Sequence, residues 1–455
     1  GFNQLVLRAG ISWQEVNIFR AYYLYLRQIG ITFSQVYVEK TLANNPEVVR
    51  LLTHYFIQRF DPSLTQKDNS SSELYTTIEQ AIEQVQSLDE DRILRRYLNL
   101  IQAAVRTNYF RNPIDELGIP YFSTKFDSSK IMQIPSPIPY FEIFVYSPRV
   151  EGIHLRGGAV ARGGLRWSDR PEDFRTEVLG LMKAQMTKNA VIVPTGAKGG
   201  FIVKRLQEMQ LPEDKSKEVV SCYQILIRGL LDVTDNRKAE EIVKPENCIC
   251  YDDDDSYLVV AADKGTATFS DYANALSIEY DFWLGDAFAS GGSVGYDHKK
   301  MGITAKGAWV SVQRHFREMN IDVQNDEFNV MGIGDMSGDV FGNGMLSSKT
   351  IKLVAAFDHR DIFIDPNPDS ALSYIERDRL YQLPRSSWAN YNSDLISCGG
   401  GVFSRALKHI PLSVEMKALL NIKECIDSLS PDELIRYILK SQADLLWFGG
   451  IGTYV

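Results

Sequence analysis

Cysteine and histidine are sparse in this chain, and neither is arranged for chemistry. The five cysteines (Cys222, Cys248, Cys250, Cys398, Cys425) are odd in number and scattered, and Cys248-Ile249-Cys250 has no second pair at zinc-site spacing. A reduced, cytoplasmic protein is the expectation. The six histidines (His54, His154, His298, His315, His359, His409) make no triad and no metal-binding spacing, so each is read as structural. Long hydrophobic runs are missing too. Stretches such as Tyr257 to Ala262 are far too short to span a bilayer, and no segment has the pattern of a signal peptide. Positive charge is in deficit, with 49 Lys+Arg against 58 Asp+Glu and a net charge of -9. No long basic tract accompanies an aromatic ladder, which argues against a nucleic-acid footprint. The acidic run Asp252 to Asp255 has the composition of a hard-cation site, but a solvated loop before a strand explains it more simply, and no metal is expected.

What is present is an ordinary globular composition, 44% hydrophobic and 24% charged, over 455 residues, more than one core usually supports. Two or three domains are expected. Neither Gly1 nor Val455 reads as a natural terminus, so the chain is expected to be a piece of something longer. From Ile11 to Arg59, and again from Leu74 to Asn108, apolar residues recur at helical spacing and read as core. After the Pro-rich stretch 134–139, Phe141 to Tyr146 reads as a strand. Helix Glu172 to Ala190, strand Val191 to Val193, helix Ser216 to Leu231 and strand Tyr257 to Ala262 then alternate, which implies a largely parallel sheet. A second α/β unit holds helix Thr304 to Met319, strands Asn329 to Ile333 and Ile351 to Phe357, helices Ala371 to Tyr381 and Pro431 to Gln442, and strand Asp444 to Phe448. The segment 384–430 carries no catalytic reading.

The stretch ARGGLRWSDRPEDFRTEVLGLMKAQMTKNAVIVPTGAKGGF, from Ala161 to Phe201, sets Arg162, Arg166, Lys183, Lys188 and Lys198 among glycines and apolar residues. Cations placed so must pair or meet a ligand, because burying an unpaired charge is costly, and a pocket for an anion is expected. Lys198 sits in the Gly-rich loop Pro194 to Gly200 that follows a strand, where neighbouring cations would ease its deprotonation and fit it to act as a base. Gln185 and Lys188 share one helix face and together suit a carboxylate. Arg162 and Arg166 flank Gly163-Gly164, where a carboxylate could take hydrogen bonds from both; for Arg166 a salt bridge to Asp169, Glu172 or Asp173 competes. Asp263 ends a strand, where sheets present catalytic groups, and suits a proton relay. Gly332-Ile333-Gly334-Asp335-Met336-Ser337 follows a strand as a G-x-G-x-x-S turn, with Asp358 ending the next strand, a dinucleotide-binding pattern whose acid favours NAD. The expected fold is α/β: a helical N-terminal region (1–115), an α/β substrate-binding catalytic domain with a mixed or parallel sheet (116–303) and a Rossmann-like NAD-binding domain (304–455).

The segment Ala161 to Phe201, with LVVAADKGTATFSDYANA, FWLGDAFASGGSVGYDHKKMGITAKGAW, GIGDMSGDVFGNGML and ADLLWFGGIGTYV, resembles the large-subunit NAD-specific bacterial glutamate dehydrogenases over nearly the whole chain. The resemblance implies oxidative deamination of L-glutamate to 2-oxoglutarate and ammonia, by hydride transfer to NAD and hydrolysis of the imine. It implies that Lys198 activates water against the imine carbon, that Asp263 transfers the proton, and that Lys188 with Gln185 holds the α-carboxylate. Arg162 stands where small glutamate dehydrogenases carry a lysine before Gly-Gly, and would grip the side chain. The resemblance further implies a homo-oligomer, and more of the cofactor domain beyond Val455. A dehydrogenase of another amino acid and a catalytically silent fragment with an assembly role are the rival expectations.

Overall fold

The computed structural model describes residues 1–64, 68–188, 195–263, 266, 268–293, 295, 297–384 and 386–450; the side chains of 68–71, 187, 188 and 298 lie outside the description. The chain divides into two compact units, Gly1–Gly295 and Tyr296–Val455.

The first unit opens with helices α1 (Gln4–Arg8), α2 (Trp13–Gln28), α3 (Gln35–Asn44), α4 (Pro46–Phe60), α5 (Asp68–Glu83) and α6 (Leu88–Ala103). Local chemistry sets their starts. Ser12 and Glu15 form a capping box on α2, Pro46 occupies the first turn of α4, and Ser87 accepts from the Glu90 amide to begin α6. The helical reading of Leu74 to Asn108 resolves into two helices, α5 and α6, parted at the Ser87 cap. It also ends early, because Ala104–Thr107 is a strand (β1) paired with the next one.

Strands β2 (Phe122–Asp127), β3 (Phe141–Tyr146), β4 (Val150–Arg156), β5 (Ala161–Arg162) and β6 (Gly164–Trp167) precede helix α7 (Phe174–Lys188) and strand β7 (Thr195–Val203). Then come α8 (Pro212–Leu231), the hairpin β8 (Asn236–Lys238) and β9 (Glu241–Val243), β10 (Ala261–Ala262) and α9 (Ser270–Glu279). The eight-stranded sheet runs β1-β2-β3-β4-β7-β6-β10, with β5 beside β7. Neighbours from β1 to β7 along this path pair antiparallel, whereas β5 and β6 pair parallel with β7 and β10 pairs parallel with β6. The sheet is mixed rather than largely parallel, because connections as short as that between β3 and β4 permit only antiparallel neighbours.

Side chains alternate across this sheet. Phe144 and Tyr146 face a core shared with α2, α6 and α7, whereas Ile143 and Val145 face one shared with α8 and α9. The helical region is thus one layer of a three-layer unit. A buried bridge fastens that layer: Tyr25 of α2 donates to Glu142 of β3 at 2.9 Å, and Arg175 of α7 grips the same carboxylate.

The expected strand Tyr257 to Ala262 is reduced to β10, since residues before it are held by side chains. Asp252 accepts from Arg106 at 2.5 Å and from Lys125, and Asp255 faces Lys125 at 2.6 Å and Arg156 at 2.8 Å. The acids of this run that are buried meet protein cations. That is neither the solvated loop nor the hard-cation site that composition suggests.

The second unit contains α10 (His298–Met301), α11 (Ile303–Glu318), β11 (Phe328–Ile333), α12 (Asp339–Met345), β12 (Ile351–Phe357), β13 (Asp361–Ile364) and α13 (Ser370–Gln382). It continues with β14 (Gly401–Ser404), β15 (Ile410–Pro411), α14 (Val414–Leu419), β16 (Ser428–Leu429), α15 (Pro431–Lys440) and β17 (Leu445–Phe448). Its five-stranded sheet has the order β14-β13-β12-β11-β17. The three parallel strands β12, β11 and β17, covered by separate cores on the two faces, form the Rossmann-like part, and β13 and β14 extend it antiparallel. The segment 384–430 supplies β14, the β15–β16 pair and α14 to this framework.

Candidate functional site

Lys198 stands in the middle of β7, not in the loop expected from its glycines. Strand β7 pairs with β4 on one side, Leu155 opposite Lys198, and with β6 on the other from Gly199 onward, so residue 198 is held in the sheet. The glycines make that crowding possible. A Cβ on Gly196 would lie 2.6 Å from the Gln185 carbonyl carbon of α7, and one on Gly200 2.6 Å from Val178. A Cβ on Gly163 would overlap the Ala197 carbonyl oxygen. The expected strand Val191 to Val193 lies outside the described residues.

Parallel pairing of β10 with β6, Ala261 opposite Gly164, brings Asp263 to the end of the sheet beside Lys198. The Lys198 Nζ lies 2.5 Å from Asp263 Oδ2. Arg166 donates from Nε to the same oxygen at 2.9 Å, and reaches Glu177 of α7 at 2.9 Å. Ser168 in turn donates to Glu177 at 2.6 Å. Charges alternate along this row: ammonium, carboxylate, guanidinium, carboxylate. The turn carrying Asp263 is pinned by Thr266, whose hydroxyl accepts from the Asp263 amide at 3.0 Å and donates to the Leu165 carbonyl at 2.7 Å.

The electrostatics follow from the geometry. Burial alone would raise the Asp263 carboxyl, but hydrogen bonds and charge from Arg166 and Lys198 hold it below its ordinary value. Burial disfavours the charged Arg166, yet Asp263 and Glu177 raise it overall. Asp263 is therefore an ionised acceptor directly against an ammonium. Such a pair can hold a proton on nitrogen or take it up on oxygen as a neighbouring amine changes charge.

The other substrate-site candidates flank this row. Arg162 is exposed at the end of β5, where it pairs in register with Gly196. Gln185 is half-buried on α7, its backbone against Gly196. Lys188 is the last residue of α7, and its side chain lies outside the described residues. Gly164 fits beneath Asp263, whose Cβ is 3.3 Å from where its own would be. Arg166 meets Glu177 and Asp263, rather than Asp169, Glu172 or Asp173. Sequence reasoning missed Glu177 entirely, because a partner eleven positions along the chain, across a strand-to-helix turn, has no local spacing to mark it. Lys183 is exposed, and among the described residues Lys198 and the half-buried Arg166 are the cations of this stretch that meet Asp263.

In the second unit the turn after β11 is built on close approach. Gly334 has φ +140°, and a Cβ there would lie 2.7 Å from Phe341; Gly332 packs on the same ring. The Gly334 carbonyl accepts from Trp388 Nε1 at 2.9 Å. Asp335 turns to Ser337, accepting from its amide at 2.8 Å and from its hydroxyl, and Met336 is buried in the core. Met336 thus offers a ligand only its main chain. Asp358, 2% exposed, accepts from the amides of Arg360 and Asp361 at 2.7 Å each through Oδ1. Its Oδ2 accepts no hydrogen bond among the described residues, with the Arg360 guanidinium 3.5 Å away.

Elsewhere, His154 is buried on β4 and burial pushes it down to about 3, so it stays neutral. All five cysteines are free thiols. No described helix is long and apolar enough to cross a membrane.

Residues 77–455 match the family pattern described as bacterial NAD-glutamate dehydrogenase, catalytic domain, and residues 1–62 match glutamate dehydrogenase, helical motif 3. The chain is 58% identical to an NAD-specific glutamate dehydrogenase of Pseudomonas aeruginosa over 458 aligned residues, covering 100% of this chain and 28% of that protein. It is 57% identical to the one of Halomonas elongata, again over 100% of the chain and 28% of the relative, and 55% identical to that of Mycobacterium tuberculosis, over 100% and 29%. The chain thus spans under a third of the length of the curated relatives it matches. With a sequence match running from residue 77 to Val455, the chain belongs to the bacterial NAD-glutamate dehydrogenase family, within its catalytic domain.

Proposed function

We propose that this chain is the catalytic part of a longer polypeptide that oxidises L-glutamate to 2-oxoglutarate and ammonia with NAD. The observation that carries the reading is the Lys198–Asp263 contact at 2.5 Å, formed where the family's catalytic segments meet in one unit. Lys198, deprotonated during turnover, removes a proton from water so that its oxygen attacks the imine carbon. Asp263 takes a proton from the substrate ammonium before the hydride leaves and returns it to the nitrogen as the C–N bond of the carbinolamine breaks, the carbinol hydroxyl proton leaving with the ammonia. Gln185 and Lys188 grip the α-carboxylate, and Arg162, with the Gly163-Gly164 backbone, receives the side-chain carboxylate.

The turn Gly332–Ser337 fits a dinucleotide: Gly334 takes a conformation that side chains disfavour, and the absent Cβ leaves the backbone approachable. NAD, when bound, supplies the hydride acceptor. Main-chain groups of Gly332, Gly334, Asp335, Met336 and Ser337 would hold its phosphates. Asp358 Oδ2 would accept from a ribose hydroxyl once the side chains around it, Arg360 included, give way. The substrate-binding region is 116–303, the NAD-binding region 304–455 and the helical region 1–115. The full protein is cytoplasmic and homo-oligomeric, and acts on small molecules rather than nucleic acid. The test is a coupled assay on the full-length protein, following NADH absorbance and 2-oxoglutarate together. Equal yields of both from glutamate support the reading, and NADH formed from leucine but not glutamate overturns the substrate.

A further inference from the structure

The buried charges of this protein are answered by opposite charges almost everywhere, as the bridges around Glu142 and Asp255 show. Among the described residues, Arg377 is a buried cation without one. It lies on α13 with its side chain facing inward, 0% exposed, and its Nε and both terminal nitrogens have no hydrogen-bond partner among the described residues. The acid beside it in sequence, Glu376, turns away to Arg379 at 2.6 Å and to the Asn392 amide at 2.7 Å. Asp365, another buried acid of this region, accepts from the Ser397 amide and hydroxyl through Oδ1 and makes no ion pair with Arg377, while its Oδ2 accepts no hydrogen bond among the described residues. The Tyr374 ring, 5.9 Å from the guanidinium carbon, offers Arg377 partial compensation.

The polar groups near Arg377 share one property. The Tyr391 hydroxyl feels the guanidinium's charge, and the Ser373 hydroxyl, one turn before Arg377, is near enough to bias the same phenol. Both hydroxyls are buried, and neither makes a regular hydrogen bond. Burial raises the Tyr391 phenol, so it keeps its proton as a donor. Burial lowers Arg377 only to about 10, so it is charged at neutral pH. The cluster is therefore a buried cation beside two hydroxyls, with the Asp365 and Glu376 carboxylates acting on Tyr391 but, among the described residues, no carboxylate paired with the guanidinium itself. A neutral water relieves the donors but not the charge, and an uncompensated buried charge costs several kcal/mol. An acceptor that also carries negative charge answers both.

We propose that Arg377, Tyr391 and Ser373 form a binding site for a small monovalent inorganic anion, of chloride size, enclosed beneath α13. The site holds α13 against the sheet of its unit, and is independent of the reaction assigned above. A metabolite carboxylate is too large for a guanidinium enclosed on all sides.

Crystals of the full-length protein grown with bromide in place of chloride test this directly. The site predicts an anomalous peak within hydrogen-bonding distance of the Arg377 guanidinium, and a thermal midpoint higher by roughly 3–10 °C in sodium chloride than in sodium gluconate at equal ionic strength. Arg377→Met should remove both the peak and the chloride dependence. Should that variant fail to fold, Tyr391→Phe should still reduce the chloride-dependent shift. Density of water only at Arg377, with no anomalous peak, overturns the proposal, as does a midpoint indifferent to chloride in the wild type.

Discussion

Lys198 and Asp263 lie side by side, Nζ 2.5 Å from Oδ2, although they are 65 positions apart, one on β7 and the other just past β10. The parallel ladder from β7 through β6 to β10 makes this contact, and Arg166 on the middle strand touches the same carboxylate.

Arg166 acts by positioning. Arg166→Gln should lower kcat about 10²-fold with a smaller change in KM for glutamate, and Arg166→Lys should not restore it, because a lysine cannot span Asp263 and Glu177 together. Steady-state kinetics of the full-length variants check this. A kcat equal to wild type in Arg166→Gln contradicts it.

The pH dependence has a definite direction. Asp263 titrates below its ordinary value of 3.8 in the folded protein, so its ionised form stabilises the fold above about pH 4, and that contribution is lost as pH falls through the lowered value. Asp263→Asn should therefore lower the thermal midpoint at pH 7 and converge with wild type as pH falls through that lowered value. Arg166→Gln, which removes one of the two cations, should move the acidic limb of kcat/KM to higher pH. A limb that stays put argues against the shared carboxylate.

Gly163→Ala should destabilise the first unit by about 1–3 kcal/mol, since its methyl would strike the Ala197 backbone, which cannot swing aside as a side chain can. Thermal unfolding measures the loss. A midpoint within a degree of wild type would mean that β5 and β7 are not in the contact described.

Arg162→Ala tests the choice of substrate. It should raise KM for glutamate by roughly 10–10²-fold, about 1.4–2.7 kcal/mol, while leaving turnover of leucine unchanged. Equal losses on both substrates would remove Arg162 from the side-chain grip.

Much of this architecture was legible in the sequence where the signal is local. Ile351 to Phe357 and Phe141 to Tyr146 are strands within the expected bounds, and helices α11, α13 and α15 fall within a few residues of theirs. Signals that depend on distant partners were not legible. The glycines around Lys198 suggested a loop, yet they are there so that β7 can lie close to β5, β6 and α7. The acids Asp252 and Asp255 suggested solvent, and they are buried against Lys125, Arg106 and Arg156. Lys198 and Asp263 were each marked by their strand-end chemistry. Glu177 and Ser168, which hold the far side of Arg166, became visible only once β6 and α7 were placed together.

The central claim is that Lys198 carries the proton chemistry of glutamate oxidation. Single-turnover NADH formation by full-length Lys198→Ala, with NAD binding followed by calorimetry on the same sample, tests it most directly. The account predicts a fall in rate of about 10³-fold or more with NAD affinity within twofold of wild type. A rate within tenfold of wild type, at unchanged NAD affinity, would contradict it.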